Sequence, residues 1–176
     1  MTLDQKIAVL GVIGTWVAGV ATFAAVCVSL YLARRGERVQ LKVVAGLRTI
    51  VGGGTVPEEC LAIEVTNLGG RPVTVNSVGW AAGRRKKRVY CMQLLSNRWS
   101  AQYPIELPHG KSANFMLLTR DSPHWLTSYA NVWLKDIPET ELCTLVAQVH
   151  TSVGQTVEAK PEKGLLDRLR DAKRAQ

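Results

Sequence analysis

Residues 60–80 read CLAIEVTNLGGRPVTVNSVGW, and this stretch decides the fold of the chain after residue 38. Apolar and polar residues alternate on both sides of NLGGRP, which is typical of two half-buried strands joined by a turn. Side chains of a strand point alternately to its two faces. The residues expected to face inward are Leu61, Ile63, Val65, Val73, Val75 and Val78.

Further strands are predicted on both sides of this stretch. Upstream, residues 39–51 form a first strand with a possible bulge at Gly46. Downstream, a hairpin through RRKKR leads to VYCMQL, ANFMLLTR follows, and LCTLVAQVH and GQTVEAKP form a closing hairpin. About seven short strands at this spacing predict a mainly β domain, an immunoglobulin-like β-sandwich. Between them, Ser122 is the expected N-cap of a short helix, with Pro123 at its first position.

The last 16 residues, 161–176, predict a short basic helix. Leu165, Leu166, Leu169 and Ala172 recur on one narrow stripe. Three placements stay open: the helix packs on the sandwich, lies on a membrane, or frays.

The N-terminal stretch 7–33 carries no charged residue and exceeds the roughly 20 residues that a membrane-spanning helix needs. A cleaved signal peptide is the alternative, but the apolar run is long for one and arginines follow it directly. The predicted organisation is therefore an uncleaved transmembrane anchor (1–33), a basic linker (34–38), the β-sandwich (39–160) and the C-terminal helix or tail (161–176).

The charges that flank the anchor predict its orientation. Arg34, Arg35, Arg38 and Lys42 follow the span, whereas Lys6 alone precedes it. Because Lys and Arg beside a span are retained in the cytoplasm, we expect the N-terminus outside and the C-terminal domain in the cytoplasm.

Small residues recur every fourth position in the anchor, as in Gly11, Thr15 and Gly19. Such a face lets two helices approach closely and predicts homo-oligomerisation through the anchor. Glycine and alanine are common in any membrane-spanning helix, so the alternative is that this spacing reflects composition and not an interface.

The formal net charge of +8 is concentrated in the linker region, in the C-terminal tail and in RRKKR at 84–88. We predict contact with anionic lipid headgroups. Nucleic-acid binding is the less favoured use, because no recognition helix or stacking platform accompanies the run. A solvated hairpin is the alternative. The predicted contact residues are Arg34, Arg35, Arg38, Arg84, Arg85, Lys86, Lys87 and Arg88.

Aromatic residues cluster in the irregular middle of the chain, among them Trp99, Tyr103 and Trp125. Exposed aromatic side chains are favoured at protein interfaces, so these three are candidate partner contacts. Packing in the core is the competing interpretation.

No catalytic, nucleotide or metal motif is recognisable, and no cofactor is predicted. The chain has neither GxSxG nor a P-loop, and its three histidines are scattered. Cys60 should face away from the core and Cys143 into it, so an inter-sheet disulfide is not expected.

Three blocks, at residues 61–80, 105–117 and 145–161, resemble a group of small bacterial single-pass membrane proteins with a C-terminal immunoglobulin-like or fibronectin-like domain. Their patterns are ExTNxGxRPVTIxxVG, LPxxLxxGxxxxF and DSxGxxxxA. This chain has Thr151 where that group usually has Asp, and its middle block is shorter. The resemblance implies a sandwich in a bacterial inner membrane and supplies no catalytic residue.

Together these patterns predict a membrane-anchored, non-catalytic binding or assembly module on the cytoplasmic face. Its partner is an unspecified protein. A basic module that binds anionic lipid or nucleic acid through 84–88 is the alternative function.

Overall fold

The computed structural model describes residues 3–36, 39–52, 55–84, 87–95, 99–119 and 124–174. Contacts divide the chain into two compact units, residues 1–38 and residues 39–176.

The first unit is one helix, α1 (Leu3–Gly36). Its stretch Gly11–Arg34 is long and apolar enough to cross a membrane, a property that anchors share with signal sequences. The large apolar side chains described for this helix, from Val12 to Leu32, are exposed, including Trp16 and Phe23. The predicted N-terminal apolar helix is confirmed.

The second unit is mainly β, as predicted, and its described residues form eight antiparallel strands in two sheets. These are β1 (Leu41–Gly52), β2 (Thr55–Asn67), β3 (Val73–Ala82), β4 (Val89–Met92), β5 (Ile105–Leu107), β6 (Ser112–Leu118), β7 (Val146–Thr151) and β8 (Thr156–Ala159). One sheet has the order β1-β2-β6, and the other has the order β4-β3-β7-β8, with β5 also paired to β3. Strand β5 is not among the predicted strands, because three residues are too few to show an alternation.

The two sheets share one core. The six residues of β2 and β3 that were predicted to face inward are buried, and Trp80 and Phe115 are the largest fully buried side chains of the described residues. Strand β7, in the same sheet as β3, adds Ala147 and Val149. Cys60 faces away from this core, as predicted, and packs in a small second cluster.

The predicted bulge at Gly46 is wrong. Strand β1 stays in register with β2 around it, with Gly46 opposite Ala62, and the register shifts only between Ile50 and Gly52. A Cβ atom at Gly46 would meet the carboxylate of Glu162, the end of a flexible side chain that can move aside. The glycine therefore marks no irregularity of the strand.

The predicted inward position of Cys143 is also wrong. Residues Glu139–Thr144 form a 3₁₀ helix, β7 begins only at Val146, and the Cys143 side chain is exposed. Buried Leu142 and Leu145 are three residues apart, which matches the 3₁₀ period rather than the strand period.

The short helix of the middle segment is present as α2 (Trp125–Ser128), followed by a π-helical turn, Tyr129–Trp133. The predicted capping residues Ser122 and Pro123 lie outside the described residues.

The C-terminal helix α3 (Lys163–Arg174) packs on the second unit. Leu165 and Leu169 are buried in the core, and Leu166 packs against it. At its far end, Lys173 Nζ donates hydrogen bonds to the carbonyl oxygens of Leu134 (2.8 Å) and Ile137. Of the three open placements, the structure shows docking on the domain.

Glycine 79 holds β3 close to β4. A Cβ atom at this position would lie 2.5 Å from the carbonyl oxygen of Cys91, which is backbone and cannot move aside cheaply. We expect Gly79→Ala to lower the free energy of unfolding by about 1–3 kcal/mol, the usual cost of overpacking. Thermal unfolding of the full chain in detergent, followed by near-ultraviolet circular dichroism, measures the loss.

Gly164→Ala is the matched control for this variant. Gly164 is in α3, and a Cβ atom there meets nothing within 4 Å. Because alanine favours a helix over glycine, this variant should gain up to about 1 kcal/mol. Equal effects of the two variants would contradict the close approach of β3 and β4.

Candidate functional site

The basic loop is the connection between β3 and β4. Gly83 has a φ of +93°, and its N–H donates a hydrogen bond to Thr144 Oγ1 (2.8 Å). Lys87 N donates to the Arg84 carbonyl oxygen (3.0 Å), so the chain turns back within five residues. The side chains of Arg84 and Lys87 are exposed, whereas Arg85 and Lys86 lie outside the described residues.

Arg88, the last residue of the basic run, is engaged within the domain. Its Nη2 donates to Glu158 Oε1 on β8 (2.5 Å), and the same oxygen accepts a hydrogen bond from Gln148 Nε2 (2.8 Å). The guanidinium group also lies 5.6 Å from the centre of the Tyr90 ring. Arg88 therefore links β4 to β8 across the sheet, and the accessible charge of the described loop is at Arg84 and Lys87.

The opposite end of the domain, where β1 begins, is the entry end; it comprises residues 68–72, 108–111 and 152–155. The N–H groups of Leu68 and Gly69 donate to the Gln40 carbonyl oxygen at 2.8 and 3.2 Å. Strand β3 starts at this end and runs to the basic loop, and ten residues of strand span about 30 Å. The basic loop is thus remote from the residues at which the chain enters the domain.

Asn67 joins the two turns that shape this entry end. Its buried Nδ2 donates to the carbonyl oxygens of Arg71 (2.7 Å) and Leu107 (2.8 Å), and its Oδ1 accepts from Gly69 N (2.9 Å). Its backbone carbonyl oxygen accepts from Gly110 N (2.8 Å). The turn motifs NLGGRP and LPHG, separate in sequence, are therefore one hydrogen-bonded unit.

His109 contacts the same unit. Its Nδ1 lies 3.0 Å from the Gly69 carbonyl oxygen. Within the described part of the chain, no group of three or more His, Cys, Asp or Glu side chains could hold a metal ion.

The aromatic residues proposed as partner contacts occupy different environments. Tyr103 stacks on Phe115 with ring centres 4.9 Å apart, and burial raises its pKa to about 12. Trp125 is buried against Tyr129. Trp99 is more than half exposed. Only Trp99 of the three therefore presents a large ring area to solvent, while Tyr103 and Trp125 pack in the interior.

Tyr129 is the centre of the buried aromatic group, between Trp80 and Trp133. Burial raises its pKa well above the usual value, and burial also raises the pKa of the Cys91 thiol. Both groups are thus held in their neutral forms, which are the less nucleophilic ones.

Two residues of the candidate dimerisation face of α1, Thr15 and Gly19, line a shallow groove together with Trp16, Val20 and Phe23. The Thr15 hydroxyl donates back to the carbonyl oxygen of Val12 (2.8 Å), so its polarity is satisfied within the helix. Gly11, one turn earlier, is exposed on the same stripe.

The juxtamembrane cations are described only in part. Arg34 is exposed at the end of α1, and Arg35 belongs to that helix. Arg38 and the side chain of Arg35 lie outside the described residues.

Sequence reasoning missed two features of the entry end: the bridging role of Asn67 and the exposed apolar side chains of two turns. Leu68 and Val153 are 53% and 67% exposed at the tips of their turns. The sequence signal for these exposed side chains was an apolar residue between turn-forming residues, as in TNLGG and TSVGQ.

No family model and no curated protein matches the chain. Four solved structures match it. One, described as an ApaA protein from Bordetella pertussis, has 13% identity and a TM-score of 0.34, covering 70% of this chain and 89% of its own. Another, a target of the Northeast Structural Genomics Consortium, has 10% identity and a TM-score of 0.27, covering 71% and 81%. At these TM-scores the likeness carries no conclusion about this chain.

Proposed function

We propose that the protein is a membrane-anchored, non-catalytic binding or assembly module on the cytoplasmic face of a bacterial inner membrane. One observation carries the proposal: α1 exposes its large apolar side chains over the whole stretch Gly11–Arg34, and the compact β domain follows within a few residues. In this proposal the helix stays uncleaved and its partner is another membrane-proximal protein. Tethering raises the local concentration of the domain near that partner, and in this proposal the domain catalyses no reaction.

The strand order supports an immunoglobulin-like or fibronectin-like sandwich for the module. The order β1-β2-β6 corresponds to the A-B-E order of such domains, and β4-β3-β7-β8 corresponds to C′-C-F-G. The resemblance of the three turn and core blocks to bacterial single-pass proteins agrees with this arrangement. In the proposal, the exposed Trp99 ring is the leading candidate for a partner contact.

The test combines two measurements: whether the chain can be extracted from the membrane, and on which side of the membrane its C-terminus lies. The full chain, expressed with a C-terminal reporter, should stay in the membrane after carbonate washing, keep its intact mass, and show reporter activity only on the cytoplasmic side. A shorter product without the first 33 residues, found in the soluble fraction, would identify a signal sequence and refute the anchor.

Orientation is tested by charge replacement. Changing Arg34, Arg35 and Arg38 to Asn should weaken the cytoplasmic retention of the domain, because cations beside the span set its direction. Arg84→Asn and Lys87→Asn serve as the control, since these cations are about 50 residues from the span. An unchanged reporter distribution in the first variant would contradict the proposed orientation.

A second candidate function rests on the basic loop. Arg84 and Lys87 are exposed at the tip of a tight connection, which suits contact with a polyanion such as anionic lipid or nucleic acid. The variant with Arg84→Ser and Lys87→Ser should then lose binding to the polyanion. Binding of the polyanion by the unchanged protein should weaken steeply as the salt concentration rises. If this variant keeps the cellular function of the protein, a protein partner that binds elsewhere on the domain is favoured.

The groove on α1 predicts self-association. A leucine at Gly19 would fill its floor, between Trp16 and Phe23, and keep a second helix from close approach. We expect Gly19→Leu to reduce crosslinked dimers several-fold in native membranes. Ala24→Leu adds the same side chain roughly 140° around the helix and should leave the dimers unchanged. Equal dimer yields for both variants would remove this interface.

A further inference from the structure

Strand β4 carries a row of exposed apolar side chains at an edge of its sheet. In the order β4-β3-β7-β8 it is the terminal strand of the described residues. Tyr90, Met92 and Leu94 follow one another at every second position and are 64%, 64% and 81% exposed. Alternate residues of a strand lie on one face, so these three side chains form one apolar stripe. An exposed apolar edge strand is a template for pairing with another chain.

The backbone of β4 directs hydrogen-bonding groups to the same edge. Gln93 N donates to the Val78 carbonyl oxygen (3.0 Å), in the register that β4 and β3 keep. Because hydrogen-bonded pairs alternate along an antiparallel ladder, Tyr90 and Met92 direct their N–H and C=O groups away from β3. The Met92 carbonyl oxygen accepts a weak hydrogen bond from the Cys91 thiol (3.6 Å), so this thiol also lies beside the edge. A further strand can therefore pair with the Tyr90 and Met92 peptide groups.

A second copy of β4 matches this edge when it runs antiparallel and the pairing is centred on Cys91. Tyr90 of each copy is then opposite Met92 of the other, which joins outward peptide groups to each other and sets each thioether against a ring. Arg88, beside the Tyr90 ring, is opposite Leu94, whose side chain can cover the aliphatic stem of the arginine. The basic ends of the two strands point in opposite directions. Parallel pairing would instead set Arg88 beside Arg88, which is destabilising.

The exposed area indicates how tightly two copies would hold. Large side chains bury about 150–250 Å² when they are fully covered, so the stripe offers on the order of 400 Å² per copy at its exposed fractions. An apolar patch of this size often marks an interaction site on a monomeric protein. Two such stripes bury about 800 Å², less than the roughly 1,200 Å² of a stable complex. The expected contact is therefore a weak, reversible dimer.

We infer that two copies of the β domain pair reversibly through antiparallel β4 strands, so that their sheets join at this edge. The inference rests on the proposed assembly function and names a second copy of this chain as the partner. It uses contacts of the second unit alone. The stripe of Tyr90, Met92 and Leu94 is then covered by the same stripe of the other copy.

Thiol cross-linking of the full chain tests this pairing, because Cys91 would lie opposite Cys91 of the other copy. Cα atoms in such a non-hydrogen-bonded pair are about 4.5 Å apart, within the roughly 4.4–6.8 Å of a disulfide. A variant with Cys27→Ser and Cys143→Ser keeps Cys91 and the buried Cys60. Oxidised with copper phenanthroline in native membranes, it should form a disulfide dimer of twice the mass of the chain.

The control variant, Cys27→Ser with Cys91→Ser, keeps the exposed Cys143 of the 3₁₀ helix instead. It should give several-fold less dimer, because Cys143 is not on β4. This control separates pairing through the strand from random collision of two domains in one membrane.

Two changes in β4 separate the side chains from the backbone. Tyr90→Ser with Met92→Ser removes most of the stripe at exposed positions and should reduce the Cys91 dimer several-fold. Val132→Ser with Val153→Ser changes two similarly exposed apolar side chains elsewhere and should leave the dimer unchanged. Met92→Pro removes the outward N–H donor, a replacement that edge strands tolerate, and should also reduce the dimer several-fold. Unchanged near-ultraviolet circular dichroism checks that each variant is folded.

Equal dimer yields from the Cys91 and Cys143 variants would overturn the inference, as would a Cys91 dimer that survives both changes in β4. A Cys91 cross-link to a different protein would also overturn it, because the edge would then hold another partner. The proposed function fails in a different way, through a chain that is cleaved or that carbonate extracts from native membranes. The Cys91 dimer would still form in that soluble fraction.

Discussion

Replacing Asn67 with Leu should lower the free energy of unfolding of the domain by about 3–5 kcal/mol. The Asn67 side chain makes three hydrogen bonds. The variant leaves the carbonyl oxygens of Arg71 and Leu107 without that donor, whereas Gly69 N–H keeps its hydrogen bond to the Gln40 carbonyl oxygen. Each buried group left without a partner costs about 1–3 kcal/mol. Near-ultraviolet circular dichroism during thermal unfolding of the full chain in detergent measures the change, because Trp80 reports on the core.

Asn67→Asp tests the donor role alone, because it keeps the shape of the side chain. An ionised carboxylate cannot donate, and it would face the carbonyl oxygens of Arg71 and Leu107. Those oxygens and burial should raise the pKa of the new carboxyl above its unfolded value. The neutral form can donate one hydrogen bond, so the loss of stability should be greatest at neutral pH and shrink as the pH falls through the raised pKa.

Asn76→Asp is the matched control, since Asn76 is exposed on β3. It should change the unfolding temperature little and without the same pH dependence. If Asn67→Asp behaved like Asn76→Asp, the two turns would not depend on the Asn67 amide.

The strands were predictable because their information is local. Alternation with a period of two identified the inward faces of β2 and β3, and all six predicted inward residues are buried. The amide of Asn67 could be assigned to a turn for the same reason. Its bond to Leu107 could not, because the partner is 40 residues away and no pattern in one sequence records such a pairing.

The candidate surfaces were predictable in composition and only partly in position. The basic run was predicted as the hairpin that leads to VYCMQL, and it is the connection between β3 and β4. The pairing of Arg88 with Glu158 joins residues 70 positions apart. Burial of Tyr103 and Trp125 likewise depends on Phe115 and Tyr129, which reach them only in the folded chain. The sequence did not decide whether Trp99 is exposed for a partner or packed in the core.

The second large effect is expected in the C-terminal helix. Leu169 is completely buried, so Leu169→Ala should lower the free energy of unfolding by about 2–5 kcal/mol through lost apolar contact and the cavity left behind. The same variant should speed hydrogen exchange in residues 125–144, because α3 packs on α2, on the π-helical turn and on the 3₁₀ helix. A helix that lay on the membrane or frayed would give neither result.

Arg168→Ala separates core packing from the ion pairs that also join α3 to the sheets. Arg168 Nη2 donates to Glu59 Oε2 (2.6 Å), but both side chains are about half exposed, and such pairs contribute about 0–1 kcal/mol. The bidentate pair of Arg48 with Glu162, whose pKa the guanidinium lowers, is similarly exposed. Arg168→Ala should therefore be nearly neutral beside Leu169→Ala. A loss in Arg168→Ala as large as that in Leu169→Ala would mean that charge, not burial, holds the helix on the domain.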